Sequence, residues 1–104
     1  MWTMYVLTCS DGSFYCGITT DMSRRLDEHN GVVPKKGAKY TRSRRPVILF
    51  YTEEHPDRST ASKAEAAFKK LSRRQKLHYM ANQVTIKHEQ EMLDYQRKLD
   101  SEQS

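Results

Sequence analysis

The chain has 104 residues, of which 37% are hydrophobic and 30% are charged, so it can form one domain with a modest core but cannot also enclose a large cofactor. No stretch approaches the roughly 20 apolar residues that span a bilayer, and the N-terminus lacks the regions of a signal peptide. We therefore predict a cytoplasmic protein without membrane contact. The formal net charge of +5 fits a polyanionic partner such as nucleic acid, or a solvated basic face without a partner.

Two strand-like runs at the start of the chain predict a β-hairpin. Residues 2–8 are rich in aromatic and β-branched side chains, and residues 14–20 form the second run. An Asp-Gly pair at 11–12 supplies the turn between them. Cys9 and Cys16 fit no zinc-binding spacing, and we interpret them as small buried side chains in a reducing compartment.

A helix is predicted to follow the hairpin. Residues 19–21 offer capping side chains for its N-terminus, and Asn30-Gly31 closes it, as a left-handed residue commonly does. Arg25 and His29 are four residues apart, so they stand one turn apart on one face, at the edge of the apolar stripe.

Residues 31–45 form a basic segment with two glycines and one proline, and we expect a mobile loop there. The run Val47–Tyr51 is apolar enough to predict a central, buried strand. Residues 53–58, which include Pro56, are expected to end that strand.

A second helix is predicted from about residue 59 to residue 71. Its apolar stripe consists of Ala61, Ala64, Phe68 and Leu71. Glu65 lies inside this stripe, where an ionised carboxylate is costly unless it is paired or bound to a metal. The pattern leaves both interpretations open: a salt bridge to Lys69 or a neighbouring arginine, and a metal ligand.

The remainder of the chain predicts a shorter helix around residues 73–81 and a tail. We predict a domain over residues 1–82 and a tail over 83–104, helical in part, disordered in part and frayed over its last five residues. Residues 1–82 carry 15 Lys/Arg against 8 Asp/Glu, whereas residues 83–104 carry 3 against 5. The acidic tail is therefore a candidate docking segment for a protein partner.

The chain contains the residue types that phosphodiester hydrolysis requires. A base must take a proton from water, a cation must stabilise the charge on phosphorus, and the leaving oxygen must be neutralised. The planar fork of an arginine suits the phosphate, and a hard cation held by a carboxylate suits the leaving oxygen. A tyrosine or a histidine beside a cationic neighbour can serve as the base.

These residues occur in an order that resembles the GIY-YIG nuclease family. The first family motif corresponds to Met4-Tyr5-Val6-Leu7 and the second to Tyr15-Cys16-Gly17, and the match continues to residue 30 and again around residue 65. The resemblance covers residues 2 to about 80 and extends to small, stand-alone bacterial members, in which the sequences at 40–42 and 45–47 recur in kind.

The resemblance implies roles for five residues. One of Tyr5 and Tyr15 would orient or deprotonate the attacking water, and Arg25 would contact the scissile phosphate. His29 would relay a proton or contact the phosphate, and Glu65 would hold one Mg²⁺ or Mn²⁺ ion. The plainer alternatives are packing for the tyrosines and the histidine, a surface position for the arginine, and a salt bridge for the glutamate.

The resemblance also implies a surface for the nucleic-acid backbone. Gly17 would permit close approach of the main chain to a phosphate. A non-specific phosphate grip, or alternatively a solvated loop, would consist of Lys35, Lys36, Lys39, Tyr40, Arg42, Arg44 and Arg45.

The chain departs from the family pattern at a few positions. The first motif has Met4 and the Val6-Leu7 pair in place of its glycine and isoleucine, and the second has Cys16 in place of isoleucine or valine. These substitutions are apolar and leave the chemistry untouched. The late active-site asparagine of several family members has no secure counterpart here, Asn82 being the nearest candidate.

We therefore predict an α/β (α+β) fold with a small, mainly antiparallel three-stranded sheet flanked by helices. By resemblance, the expected function is that of a monomeric, metal-dependent endonuclease. It would act on DNA or RNA, in DNA repair or processing, and would select structure rather than sequence. The alternative is a non-catalytic nucleic-acid-binding module of the same fold. Such a module would need Arg25 and the lysines but not Glu65, because a carboxylate repels bound phosphate.

Overall fold

The computed structural model describes residues 1–103, apart from the side chains of 85–88 and 99–103. Its elements in chain order are β1 (Trp2–Thr8), β2 (Phe14–Thr19), α1 (Met22–His29), α2 (Lys39–Arg42), β3 (Ile48–His55), α3 (Arg58–Lys69) and α4 (Arg73–Gln103). The strands form one antiparallel sheet in the order β2-β1-β3. The predicted fold, a three-stranded antiparallel sheet with flanking helices, is confirmed.

The predicted hairpin is present, and its turn is stabilised locally. The Asp11 carboxylate accepts hydrogen bonds from the backbone nitrogen of Ser13 at 3.0 Å and from its hydroxyl at 2.6 Å. Gly12 adopts a φ of 82°, which a residue with a side chain rarely does. This turn sets the register of β1 against β2, so that Tyr5 lies opposite Gly17 and Leu7 lies opposite Tyr15.

The prediction of a central third strand is wrong. β1 is the central strand, with four consecutive buried residues from Met4 to Leu7, and β3 is an edge strand whose Ile48 and Phe50 are 67% and 53% exposed. Hydrophobicity alone cannot separate a central from an edge strand, because both can carry a continuous apolar run. The strand also continues to His55 instead of ending at residue 53, because its polar end pairs with the start of β1.

Side-chain caps define where α1 and α3 begin. Asp21 accepts a hydrogen bond from the backbone nitrogen of Arg24 at 3.1 Å, and Asp57 accepts one from that of Thr60 at 2.8 Å. α3 therefore begins at Arg58, just before the predicted start. It contacts all three strands, with Ala61 and Phe68 buried.

The basic segment is not a free loop. It contains α2, and it is clamped at its C-terminal end by Asn30, whose side chain donates to the Val47 carbonyl at 3.0 Å and accepts from the Val47 backbone nitrogen at 2.8 Å. Arg45 donates from Nε to the carbonyl of His29 at 2.6 Å. Gly31, with a φ of 83°, gives the Arg45 guanidinium the space that a Cβ would otherwise fill. These contacts fix the segment against the end of α1.

The chain divides into two compact units, Met1–Lys70 and Leu71–Ser104. In the second unit, α4 is one continuous helix, so the predicted short helix and separate tail are a single element. The predicted boundary between a domain and a tail, at residues 82 and 83, falls inside α4. The division of the chain at this point stays a prediction. The backbone of residues 100–103 is helical, and Ser104, the last residue expected to fray, lies outside the described residues. In the part of the chain that the structure describes, no helix is long and apolar enough to cross a membrane.

Replacement of the clamp residue tests how much it contributes to stability. We expect Asn30→Ala to lower the free energy of unfolding by about 1–3 kcal/mol, because it leaves two partly buried backbone groups of Val47 without partners. Urea unfolding followed by circular dichroism measures this change. Asn82→Ala, at an exposed position of α4, is the matched control and should change stability by less than about 0.5 kcal/mol. Equal unfolding midpoints for the two variants would contradict a stabilising role of the Asn30 side chain.

Candidate active site

The sheet register places both motif tyrosines on one face of the hairpin. Directly opposed residues on neighbouring strands share a face, and so do residues two apart on one strand. Tyr5 and Leu7 on β1 therefore share a face with Gly17 and Tyr15 on β2. The same face packs against the apolar side of α1.

α1 brings Arg25 and His29 to this face, as their spacing predicts. The Tyr5 hydroxyl lies 2.8 Å from Nε2 of His29, and Nε of Arg25 donates to the same hydroxyl at 3.4 Å. Tyr5 and His29 are almost completely buried, whereas the Arg25 side chain remains 26% exposed. A buried phenol is thus held between a buried imidazole and a guanidinium that reaches solvent.

Tyr15 extends this cluster towards the surface. Its ring lies 5.0 Å from that of His29 and 6.4 Å from that of Tyr5, measured between ring centroids. Tyr40 stacks on Tyr15 at 5.9 Å, and the Arg44 guanidinium covers Tyr40 at 3.8 Å. A continuous series of rings therefore joins the buried imidazole to the basic segment.

The hydrogen bonds around the imidazole have one consistent direction. All of these contacts are satisfied together when the Thr41 hydroxyl donates its proton to the carbonyl of Ala38 at 3.0 Å and accepts from Nδ1 of His29 at 2.8 Å. A proton on Nδ1 leaves Nε2 with a lone pair, which accepts the proton of Tyr5. We call Arg25, Tyr5, His29 and Thr41 the buried hydrogen-bond chain.

Burial keeps both central groups of this chain uncharged at neutral pH. Desolvation, followed by the charge of Arg25, lowers the pKa of His29 from 6.5 to about 4. Arg45 also lowers this pKa, and Glu28 partly opposes the shift. Desolvation raises the pKa of Tyr5 from 10.0 to about 12, against a hydrogen bond from Arg25 that lowers it. The imidazole is therefore a neutral proton acceptor, and the phenol keeps its proton.

Gly17 has a packing role in this site. A Cβ at this position would lie 2.5 Å from the hydroxyl oxygen of Tyr5 and 2.7 Å from the adjacent ring carbon. A side chain here would push the Tyr5 ring away from His29. The contact between Gly17 and a phosphate stays a prediction.

Arg25 is held in place by the basic segment. Its Nη1 donates to the carbonyl of Lys36 at 2.8 Å and contacts the Glu28 carboxylate at 3.4 Å. The contact from Nε to Tyr5, at 3.4 Å, is longer than an ordinary N–H···O bond, which measures about 2.7–3.2 Å. The guanidinium is therefore oriented, partly exposed and only weakly held by the phenol.

Glu65 makes the salt bridge that the sequence left open. Nζ of Lys69 lies 2.9 Å from Oε1 of Glu65, and within the described residues this is the only charged contact of the carboxylate. The hydrogen bond to Glu65 raises the pKa of Lys69, and the nearby Tyr15 and Cys16 contribute in the same direction. The pair therefore lies alongside β2, and within the part of the chain that the structure describes no hydrogen bond or ion pair joins the carboxylate to the buried hydrogen-bond chain.

The donor set around Glu65 limits the kind of metal that would fit. Among the described residues, no group of three or more His, Cys, Asp or Glu side chains could hold an ion. One carboxylate fits an ion such as Mg²⁺, which keeps several waters and binds substrate phosphates together with one or two carboxylates. It does not fit a preformed site made of protein ligands alone.

The predicted phosphate-grip residues fall into two groups. Arg44 and Arg45 hold neighbouring structure, the former through Asp11 at 3.0 Å and the latter through the carbonyl of His29. The other members are exposed on the basic segment: Lys35, Lys36, Lys39, Tyr40 and Arg42. The lysine ammonium groups make no ion pair within the described residues, and their phosphate contacts stay a prediction.

Sequence reasoning missed Thr41. This residue is fully buried and lies in α2, within the segment expected to be a loop, so its composition did not indicate a contact with His29. The available signal was the resemblance of residues 40–42 to the small bacterial family members. The candidate asparagine, Asn82, belongs to the second unit, and its role stays a prediction.

Small bacterial UPF0213 proteins are similar to this chain over most of its length. A UPF0213 protein of Enterococcus faecalis is 60% identical in an alignment of 78 residues that covers 73% of this chain and 85% of that protein. A UPF0213 protein of Streptococcus sanguinis is 56% identical over 77 residues, which are 74% of this chain and 85% of the relative.

Two solved structures, both of bacterial proteins, are also similar to this chain. The NMR structure of a UPF0213 protein from Bacillus halodurans is 43% identical, with a TM-score of 0.50, over 78% of this chain and 84% of that one. The NMR structure of a protein from E. faecalis is 57% identical, with a TM-score of 0.55, over 77% of this chain and 82% of that one. Residues 1–78 match the family described as the GIY-YIG catalytic domain. The chain therefore belongs to the GIY-YIG nuclease family and is similar to its small bacterial UPF0213 proteins.

Proposed function

We propose that this protein is an endonuclease that hydrolyses phosphodiester bonds in DNA with the help of one divalent metal ion. The observation that carries the proposal is the buried hydrogen-bond chain, in which the hydroxyl of a phenol lies 2.8 Å from a neutral imidazole and beside a partly exposed arginine. A proton acceptor next to a phosphate-binding cation is the arrangement that hydrolysis of a phosphodiester requires.

The proton path begins at Tyr5. As the attacking water loses its proton to the phenol oxygen, the phenol proton passes to Nε2 of His29, so no free phenolate is needed despite the pKa of about 12. Tyr5 is favoured over Tyr15 as the base because it alone has a hydrogen bond to His29. Tyr15 packs its ring against the imidazole and orients the attacking water.

Arg25 supplies the positive charge. Its weak contact with Tyr5 can be exchanged for a phosphate oxygen, which uncovers the phenol when substrate arrives. The bond to the Lys36 carbonyl keeps the guanidinium oriented during that exchange. Two parallel N–H donors then fit two oxygens of the scissile phosphate.

Glu65 is the residue that would hold the metal ion. A bound Mg²⁺ or Mn²⁺ supplies neutralisation of the leaving 3′ oxygen. The pair with Lys69 is a helix i,i+4 contact on a partly exposed surface, which contributes about 0.3–0.5 kcal/mol and is therefore readily exchanged.

The substrate proposed here is DNA with a branch, flap or single-stranded region, as found in repair or processing. The exposed lysines at 35, 36 and 39 can contact backbone phosphates but carry no information about base sequence. One observation favours the alternative of a binding module without turnover: the Glu65 carboxylate is already paired with Lys69. The two functions differ in whether that carboxylate is needed.

The role of the phenol is tested by Tyr5→Phe, which removes one oxygen from a buried side chain. We expect kcat on flap or branched DNA to fall about 100-fold or more, the usual contribution of a general base. Tyr95→Phe, on the exposed surface of α4, is the matched control and should retain full activity. Undiminished cleavage by Tyr5→Phe would exclude the phenol from the proton path.

The metal requirement is tested with Glu65→Ala and Arg25→Ala. In assays on single-stranded, duplex, flap and branched DNA with Mg²⁺ or Mn²⁺, both variants should lose cleavage. Glu65→Ala should still bind DNA in a gel-shift assay, because it removes a negative charge from the surface. Cleavage that survives Glu65→Ala would indicate another site, and binding without cleavage by the wild-type protein would establish the binding module instead.

The protonation state of His29 predicts a pH dependence of stability. Its pKa is about 4 in the folded protein and 6.5 when unfolded, so between these values only the unfolded chain takes up a proton. The free energy of unfolding should therefore fall as the pH drops from 6.5 to 4. The total loss is about 3 kcal/mol, given roughly 1.4 kcal/mol per pKa unit.

Urea unfolding at several pH values measures this loss, and His29→Gln serves as the reference. The variant has no group that titrates at position 29, so its stability should vary less over this range. Equal slopes for the two proteins would show that folding does not lower the pKa of His29.

A further inference from the structure

We propose that Thr41 is a positioning residue that fixes His29 in the tautomer whose Nε2 accepts the proton of Tyr5. The juxtaposition that carries the proposal is one imidazole between two hydroxyl groups. The Tyr5 hydroxyl lies 2.8 Å from Nε2 of His29, and the Thr41 hydroxyl lies 2.8 Å from Nδ1. The kinetic part of this inference rests on the proposed function, whereas its structural part does not.

The donor and acceptor roles in these hydrogen bonds follow from the number of protons that each group carries. Thr41 has one hydroxyl proton, and the carbonyl of Ala38 at 3.0 Å can only accept, so that proton is committed. The Thr41 oxygen then has only lone pairs to offer to Nδ1 of His29, which must carry the ring proton. In the opposite tautomer the Thr41 proton would turn from the Ala38 carbonyl to Nδ1, and the proton of Tyr5 would lose its acceptor on Nε2.

Burial makes this choice costly to reverse. Thr41 and His29 are fully buried, so no bulk water can replace a lost partner on either ring nitrogen. With the proton on Nε2 instead, Tyr5 would face two donors, His29 and Arg25, and could pass no proton to the ring. The tautomer therefore decides whether the phenol can act as a relay.

The position of Thr41 in α2 adds a connection to the substrate surface. The segment that carries Thr41 also carries the exposed Lys39 and the Lys36 carbonyl that orients Arg25. Both the proton acceptor and the phosphate-binding cation are thus aligned by groups from the basic segment. Thr41 touches no reacting atom and acts through His29 alone.

The first experiment measures the tautomer in the wild-type protein. Long-range ¹⁵N–¹H correlation spectra at neutral pH distinguish a ring protonated on Nδ1 from one protonated on Nε2, and His29→Gln identifies the signals of this ring among the four histidines. We expect the Nδ1-protonated form. A predominant Nε2-protonated form in the wild-type protein overturns the proposal without any variant at position 41.

The second experiment compares Thr41→Val, which removes only the hydroxyl, with Thr41→Ser, which keeps it. The valine variant should lose the single tautomer and lower kcat about 10- to 100-fold at nearly constant KM, as expected when the group orienting a functional histidine is lost. The serine variant should restore both. Thr60→Val is the matched control, because Thr60 makes the same kind of bond to a carbonyl three residues earlier, to Asp57 at 3.1 Å, at the exposed start of α3.

The outcomes separate this inference from the proposed function. A folded Thr41→Val protein with an unchanged tautomer and unchanged kcat overturns the positioning role. If Thr41→Val fails to fold, the wild-type spectrum and the Thr41→Ser variant decide. If the wild-type protein cleaves no DNA, the nuclease proposal fails, and the tautomer in wild-type, valine and serine proteins still decides the role of Thr41.

Discussion

The burial of one neutral imidazole is the constraint around which the first unit is organised. His29 has no exposure, so both ring nitrogens must find partners inside the protein. Tyr5 provides one from the central strand and Thr41 provides the other from α2. These two bonds join three elements that are far apart in the sequence, because the hydrogen-bonded residues are separated by 24 and 12 positions along the chain.

Space for this polar arrangement is created by residues that lack side chains. Gly17 leaves the volume that the Tyr5 ring occupies, and Gly31 leaves the volume that the Arg45 guanidinium occupies, whereas Gly37 makes room mainly for the carbonyl of Glu28. A domain with so small a core has little apolar area with which to offset an unsatisfied polar group. The interior around His29 is therefore built from groups that satisfy one another, and the chemistry of the site and the stability of the fold depend on the same contacts.

Local patterns in the sequence predicted the hairpin and α1. The Asp-Gly turn, the Asp21 cap and the Asn30-Gly31 end are short-range signals, and each is present in the structure. The spacing of Arg25 and His29 placed both on one helical face for the same reason. With the family resemblance, this was enough to assemble four of the five predicted catalytic residues around one another.

Features that depend on long-range contacts could not be read in this way. The edge position of β3 depends on which strand pairs with β1 on each side, which an apolar run does not encode. The order of the basic segment depends on bonds from Asn30, Arg45 and Thr41 to distant residues. The side-chain composition of that segment predicts a loop, because a local pattern does not distinguish Arg44 and Arg45, which bind neighbouring structure, from the exposed lysines.

The proposed site has two parts, the buried hydrogen-bond chain and the Glu65–Lys69 pair, which differ in how completely they are formed before substrate binds. Moving the buried hydrogen-bond chain would leave polar groups without partners, at a cost of about 1–3 kcal/mol for each. By contrast, the Glu65–Lys69 pair on α3 is partly exposed, and its loss costs only a few tenths of a kcal/mol.

If the proposed function holds, the proton acceptor and the phosphate-binding arginine are in place before substrate binds. The carboxylate would then exchange Lys69 for an ion together with the arrival of phosphate oxygens, because a single protein carboxylate leaves most of the ligands of such an ion to water and substrate. Such an order would keep a lone carboxylate from repelling the substrate during its approach, because the carboxylate is neutralised throughout, first by the ammonium and then by the ion.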